Sequence, residues 1–90
     1  MLIKSNVCIV NKLGLHARAS AKFVSTAARY MSRIDVHHGK KVVNGKSIMG
    51  VMALAATKGS TLELHIDGPD AEDMNTHLLA LIADRFGEDE

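Results

Sequence analysis

The sequence predicts an α+β fold in which a four-stranded antiparallel sheet carries three helices on one face. Three observations lead there: runs that alternate apolar and polar residues, segments with apolar residues three and four apart, and glycine-bearing turns between them. They succeed one another in the order βαββαβα. Residues 3–10 place Ile3, Val7 and Ile9 on one side and Lys4, Asn6 and Cys8 on the other, the pattern of a half-buried strand. Over Ala17–Met31 the residues Ala17, Ala21, Val24, Ala28 and Met31 form an apolar stripe opposite Arg18, Lys22, Ser25 and Arg29, predicting an amphipathic helix. Ile34–His37 and Lys41–Val43 flank His38-Gly39-Lys40, a hairpin turn in which Gly39 supplies a positive φ. Ser47–Thr57 starts at an N-capping residue and is apolar nearly all round, through Ile48, Met49, Val51, Met52, Leu54 and Ala55. So short a helix cannot bury every face, so Ile48, Met49 and Met52 are expected at the surface. Leu62, Leu64 and Ile66 alternate with Thr61, Glu63, His65 and Asp67 until Gly68-Pro69 stops the strand. Asp70–Phe86 is the last helix, with Ala71, Met74, Leu78, Leu81, Ile82 and Phe86 facing in; Asp70, Glu72 and Asp73 complement its positive end and Gly87 stops it. Lys4, Asn6, Glu63 and His65 point to a solvated second sheet face. Glu88-Asp89-Glu90 is expected to be a solvated, frayed end.

Composition narrows the function. Ninety residues with 47% hydrophobic and 23% charged positions make one domain spanning 1–90, without internal repeats or linkers. A net charge of +1 gives no electrostatic case for nucleic acid or a membrane surface, and one Tyr, two Phe and no Trp leave few platforms for stacking bases. No apolar run approaches the roughly 20 residues of a membrane span, and Met1–Ser5 lacks the long apolar region of a signal peptide, so a cytoplasmic location is expected. Cys8 is the sole cysteine and is read as inert packing.

The segment richest in chemistry is Asn11-Lys12-Leu13-Gly14-Leu15-His16-Ala17-Arg18-Ala19-Ser20, where a glycine turn delivers His16 to the start of a helix. Ser, Thr, Asp or Asn would cap that helix better, which suggests another use for the position. Near neutral pH an imidazole retains a nucleophilic lone pair, and the positive helix end disfavours the cation. Once phosphorylated, the ring would present its new oxygens to the unpaired N–H groups of Ala17 and Arg18, and the Arg18 guanidinium adds a donor fork. A charge at an exposed helix end is stabilised by about 0.3–1 kcal/mol, which orients a phosphoryl group without trapping it. The plainer alternative is an exposed loop histidine beside an ordinary surface arginine.

Leu13-Gly14-Leu15-His16-Ala17-Arg18 resembles the active-site motif of the HPr family, the histidine-containing phosphocarriers of the phosphoenolpyruvate-dependent phosphotransferase system. Lys46-Ser47-Ile48-Met49-Gly50-Val51-Met52 is similar to that family's regulatory-serine segment, and the likeness extends over essentially the whole chain. The resemblance implies an open-faced β-sandwich and a monomer. It implies that Enzyme I phosphorylates His16 on a ring nitrogen, that Arg18 assists, and that A-type domains of Enzyme II complexes accept the group. Such a protein is a carrier with a transient phosphohistidine rather than an independent turnover enzyme, and no cofactor is expected. Ser47 matches the serine modified in some bacteria by an HPr kinase/phosphorylase. Two departures stand out: Ala19 occupies a position that is proline in many members, and the loop Lys40–Lys46 looks one residue longer.

Other readings remain beside this one. Ser47 is also what N-capping predicts with no regulation involved. Ile48, Met49 and Met52 suit adaptable docking of several partners, with core packing as the alternative. Lys12, Lys22 and Arg29 can steer acidic partners, or simply form a solvated face. His37, His38 and His65 could meet across the wet face, but no cysteine or carboxylate spacing supports a metal there. A regulatory adaptor acting through Ser47 and the Ile48, Met49, Met52 patch without phosphoryl transfer is the second function class. A small RNA-binding module is the third, disfavoured by charge and aromatic content.

Overall fold

In the computed structural model all 90 residues are described. The elements are β1 (Leu2–Cys8), α1 (Ala17–Ala27), β2 (Arg33–His38), β3 (Lys41–Asn44), α2 (Ile48–Ala53), β4 (Thr61–Asp67), α3 (Ala71–Ala83) and a 3₁₀ turn at Arg85–Gly87. The strands form one antiparallel sheet in the order β1-β4-β2-β3. The predicted order βαββαβα and the open-faced architecture are therefore both present.

The most regular alternation in the sequence becomes the inner strand β4, paired on both edges. Ile66 lies opposite Ile3 of β1 and Ile34 of β2, and Leu64 opposite Ser5 and Val36. Leu62, Leu64, Ile66, Ile34 and Val36 are buried beneath the helices with Phe23, Leu54, Met74, Leu78, Ile82 and Phe86. Burying each such large apolar side chain contributes roughly 1.5–3 kcal/mol, so this layer is the main source of stability. Across the sheet, Lys4, Asn6 and Asp35 are exposed and Glu63, His65 and His37 half-buried, as expected of a solvated face. Cys8 ends β1 exposed rather than packed. No helix is long and apolar enough to cross a membrane.

The helices correct the sequence reading at several points, beginning with length: α1 ends at Ala27 rather than Met31, and α2 ends at Ala53 rather than Thr57, with Ala55 already at a φ of 51°. The buried stripe of α1 is Ala19, Ser20, Phe23, Thr26 and Ala27, whereas Ala17, Ala21 and Ala28 are exposed and Met31, beyond the helix, is 82% exposed. Alanines lie nearly all round this helix, so the one large side chain, Phe23, selects the inward face. Helix α3 stops at Ala83 instead of running to Phe86, because Arg85 and Phe86 adopt φ of 56° and 55°. Asp70 also acts differently: its side chain does not cap α3 but accepts the N–H groups of Met31 and Ser32 at 2.8 and 2.9 Å, tying the end of the α1–β2 connection to the start of α3.

Candidate functional site

The turn before α1 is built from a buried amide and one glycine. Gly14 has φ +65°, and a Cβ there would lie 2.4 Å from the Ala56 carbonyl oxygen, so only glycine fits. This close approach lets the Leu15 N–H donate to that oxygen at 2.9 Å, while Asn11, fully buried, donates its Nδ2 to the Gly14 carbonyl at 2.9 Å. Leu15 is buried, and the chain emerges at His16 already aligned with the helix axis. His16 is the N-cap residue, φ −73° and ψ −179°, and its side chain makes no capping bond. Its carbonyl accepts the Ser20 N–H at 2.9 Å, which begins the helix, while the N–H groups of Ala17, Arg18 and Ala19 have no acceptor. Ala17 and Arg18 are exposed, and the Arg18 guanidinium stands unpaired at the rim of the cleft that contains His16. Ala19 is fully buried, so its methyl group is core while its N–H belongs to the open helix end.

The other wall of this cleft is the C-terminal segment, Glu88, Asp89 and Glu90, together with Lys12 and Leu13. Contrary to the expectation of a solvated, frayed end, this segment is folded over the histidine. The left-handed turn at Arg85-Phe86-Gly87 reverses the chain, at a cost of roughly 1–2 kcal/mol for each non-glycine residue in that conformation. Full burial of Phe86 and a 2.6 Å hydrogen bond from Lys22 Nζ to its carbonyl offset the strain. Glu88 then reaches back with a side chain only 15% exposed. One carboxylate oxygen accepts Asn11 Nδ2 at 3.0 Å and the other pairs with His16 Nε2. The Asn11 hydrogen bond, above all, holds the Glu88 carboxyl below its ordinary 4.5, against burial that pushes it up, and the His16 hydrogen bond adds to the lowering. The Lys12 N–H donates to the Glu90 carbonyl at 2.8 Å and Lys12 Nζ lies 3.3 Å from the Glu90 carboxylate. Lys12 and Lys22, expected to stand free for a partner, thus both hold this segment while their side chains remain exposed.

The second candidate lies at the start of α2. Ser47 is the N-cap, and its Oγ accepts the Gly50 N–H at 3.0 Å. Val51 and Leu54 anchor the helix, leaving Ile48, Met49 and Met52 exposed at 44%, 81% and 41%. Leu13, 66% exposed, adds an apolar residue at the histidine cleft itself that periodicity did not single out. The remaining histidines disperse. His37 stacks on His65 with centroids 3.9 Å apart, and His65 bonds Glu63, so the rings lie face to face and do not aim nitrogens at a common point. His38 lies on the opposite face, its Nδ1 3.2 Å from the Leu54 carbonyl, and His77 meets the Tyr30 hydroxyl at 2.9 Å.

A family model described as the PTS HPr component phosphorylation site matches residues 3–84. The phosphocarrier protein HPr of Cupriavidus necator is 51% identical over 89 residues, covering 99% of this chain and 100% of that one. Among solved structures, HPr-C-His from Thermoanaerobacter tengcongensis superposes with a TM-score of 0.93 at 42% identity, covering 98% of this chain and 99% of that chain. A structure described as an HPr dimer from the same organism gives 0.77 at 46% identity, covering 89% and 92%. With a histidine at an uncapped helix start, a serine at the start of the next helix and this degree of likeness along its length, the chain belongs to the HPr family, the phosphocarriers of the phosphotransferase system.

Proposed function

We propose that His16 is the residue that carries the phosphoryl group, taking it from Enzyme I and handing it to A-type domains of Enzyme II. The observation that carries this reading is the start of α1: a histidine side chain that forgoes capping, three backbone N–H groups without acceptors, and an unpaired arginine two residues on. With Nε2 engaged by Glu88, the Nδ1 lone pair is the one open to attack on phosphorus. The new N–P bond forms as the bond from phosphorus to the donor breaks, and that electron pair leaves with the donor. The transferred oxygens then find the free amides of Ala17 and Arg18 and the Arg18 fork, a stabilisation of about 0.3–1 kcal/mol from the helix end. That is small enough for onward transfer.

Partners dock over the cleft and the exposed Ile48, Met49 and Met52, whose flexible side chains adapt to different surfaces, while Lys12 and Lys22 add positive potential. Ser47 is the regulatory position of this reading. Phosphorylation there by an HPr kinase/phosphorylase would add about −1.5 to −2 charge beside the docking patch and repel an acidic partner. The protein works as a cytoplasmic, single-domain monomer, for which light scattering gives a direct check. Incubation with phosphoenolpyruvate and Enzyme I, read by intact-mass spectrometry under mildly alkaline conditions, should add one acid-labile phosphoryl group that His16→Ala lacks. No adduct, with an Enzyme I active on its own carrier, would move the reading to an adaptor centred on Ser47.

A further inference from the structure

The phosphocarrier reading, on which this inference rests, takes the pairing of Glu88 with His16 Nε2 only as a sign of which nitrogen is open. We propose that Glu88, held by the buried Asn11 amide, is a positioning residue for the transfer: it fixes the tautomer and angle of the His16 ring so that the Nδ1 lone pair faces the cleft.

The chemistry follows from donor and acceptor roles. An ionised carboxylate only accepts hydrogen bonds, so the ring nitrogen that faces it must carry a proton. Glu88 is ionised at neutral pH, because its carboxyl is held below its ordinary value. Nε2 is therefore the N–H of the neutral ring and Nδ1 the lone pair. An imidazole free in solution divides between two tautomers and rotates about its side-chain bonds; here one arrangement is selected before any partner arrives. Asn11 makes the selection rigid. It is fully buried, and its Nδ2 donates both to the Gly14 carbonyl of the turn that delivers His16 and to Glu88. Its Oδ1 is buried without a partner, so the donor half of the amide holds the array together. One side chain thus fixes the histidine's backbone and the carboxylate that orients its ring.

The same carboxylate serves the transfer step. When Nδ1 uses its lone pair to bond phosphorus, the ring acquires positive charge that is shared with Nε2–H, and Glu88 lies against it. On onward transfer the N–P bond breaks, its electron pair returns to Nδ1 and the ring is neutral again, with no proton leaving Nε2 at either step. The charged groups lining the His16 cleft are Arg18 at the helix start and Lys12, Glu88, Asp89 and Glu90 on the facing wall; of these Glu88 is the one paired with the ring.

The test compares Glu88→Ala and Glu88→Gln with the wild type in two measurements. The ¹⁵N shifts of the neutral His16 ring read the tautomer, and rates of phosphorylation by Enzyme I separate kcat from KM. Carboxylates that orient metal-binding histidines are worth about 10- to 100-fold, and by the same logic of tautomer and angle Glu88→Ala should mix the tautomers and lower kcat about tenfold. KM for Enzyme I should change less than about twofold, since the carboxylate is engaged within its own chain. Glu88→Gln keeps an acceptor but not the charge, so it should retain the Nε2–H tautomer and fall between the two in rate. An unaltered tautomer in Glu88→Ala, or a rate equal to or above wild type, would overturn the proposal; a faster rate would make the segment an obstruction. Failure of the wild type itself to be phosphorylated would instead overturn the carrier reading on which this inference rests.

Discussion

Two helix starts in this molecule solve the same problem in opposite ways. At α2 the serine side chain turns back and satisfies a first-turn amide, Gly50 N–H to Ser47 Oγ at 3.0 Å. At α1 the N-cap side chain is a histidine that turns away to Glu88 and leaves three amides open. A closed helix start contributes stability and little else, whereas an open one keeps donors aimed at an incoming anion. The structure supports the open end from outside the helix, through the Asn11–Gly14 turn on one side and the Arg85–Gly87 reversal on the other.

Substitutions break this contrast in graded fashion. The largest effect is expected from His16→Ala, which should abolish phosphoryl uptake while shifting the thermal midpoint little, because the side chain caps nothing; radiolabel transfer and calorimetry together check this. Gly14→Ala comes next: a left-handed φ and a Cβ 2.4 Å from the Ala56 oxygen should cost about 2 kcal/mol or more in urea unfolding, with uptake reduced as His16 is displaced. Ser47→Ala should cost about 1 kcal/mol, the usual value of a lost cap, and leave uptake on His16 at the wild-type rate. Ser47→Asp retains a capping oxygen and adds charge, so it should hold stability but slow uptake; an unchanged rate would remove regulation from this site.

The smallest effect is one of pH, and it compares the two carboxylates that bind the ends of the chain's connections. Asp70 is held below its ordinary 3.8, first by the Ser32 hydroxyl and then by the Met31 N–H, and Glu88 below 4.5, first by Asn11. Both folded values are depressed, so each contributes stability that is present above its unfolded value and lost as pH falls through the folded one. Above about pH 5 both are ionised folded or unfolded, and neither adds a slope. Urea midpoints should therefore fall in acid below that point, with Asp70→Asn and Glu88→Gln each flattening the fall.

The strand layer was legible because period-2 alternation has one physical cause and β4, flanked on both sides, obeys it most strictly. The position of His16 was legible too, since a glycine turn before an amphipathic run announces a helix start, and so was Ser47. The inward face of α1 was not, because alanines ring the helix and a single phenylalanine decides the matter in three dimensions. The wall formed by Glu88 was hidden for a different reason. It depends on two non-glycine residues in left-handed conformation, which no local preference foretells, and on Asn11 and His16, more than seventy positions away in sequence. A run of acidic residues at a chain's end reads as solvated until the buried amide that receives it is known. In the same way Lys12 and Lys22 looked free because their acceptors lie in that segment.

The most direct test of the account is to phosphorylate ¹⁵N-labelled protein with phosphoenolpyruvate and Enzyme I and locate the phosphoryl group by ³¹P–¹⁵N coupling. The account predicts a single phosphoryl group on Nδ1 of His16, with Nε2 still protonated. A phosphoryl group on Nε2, or on any other residue, would contradict it.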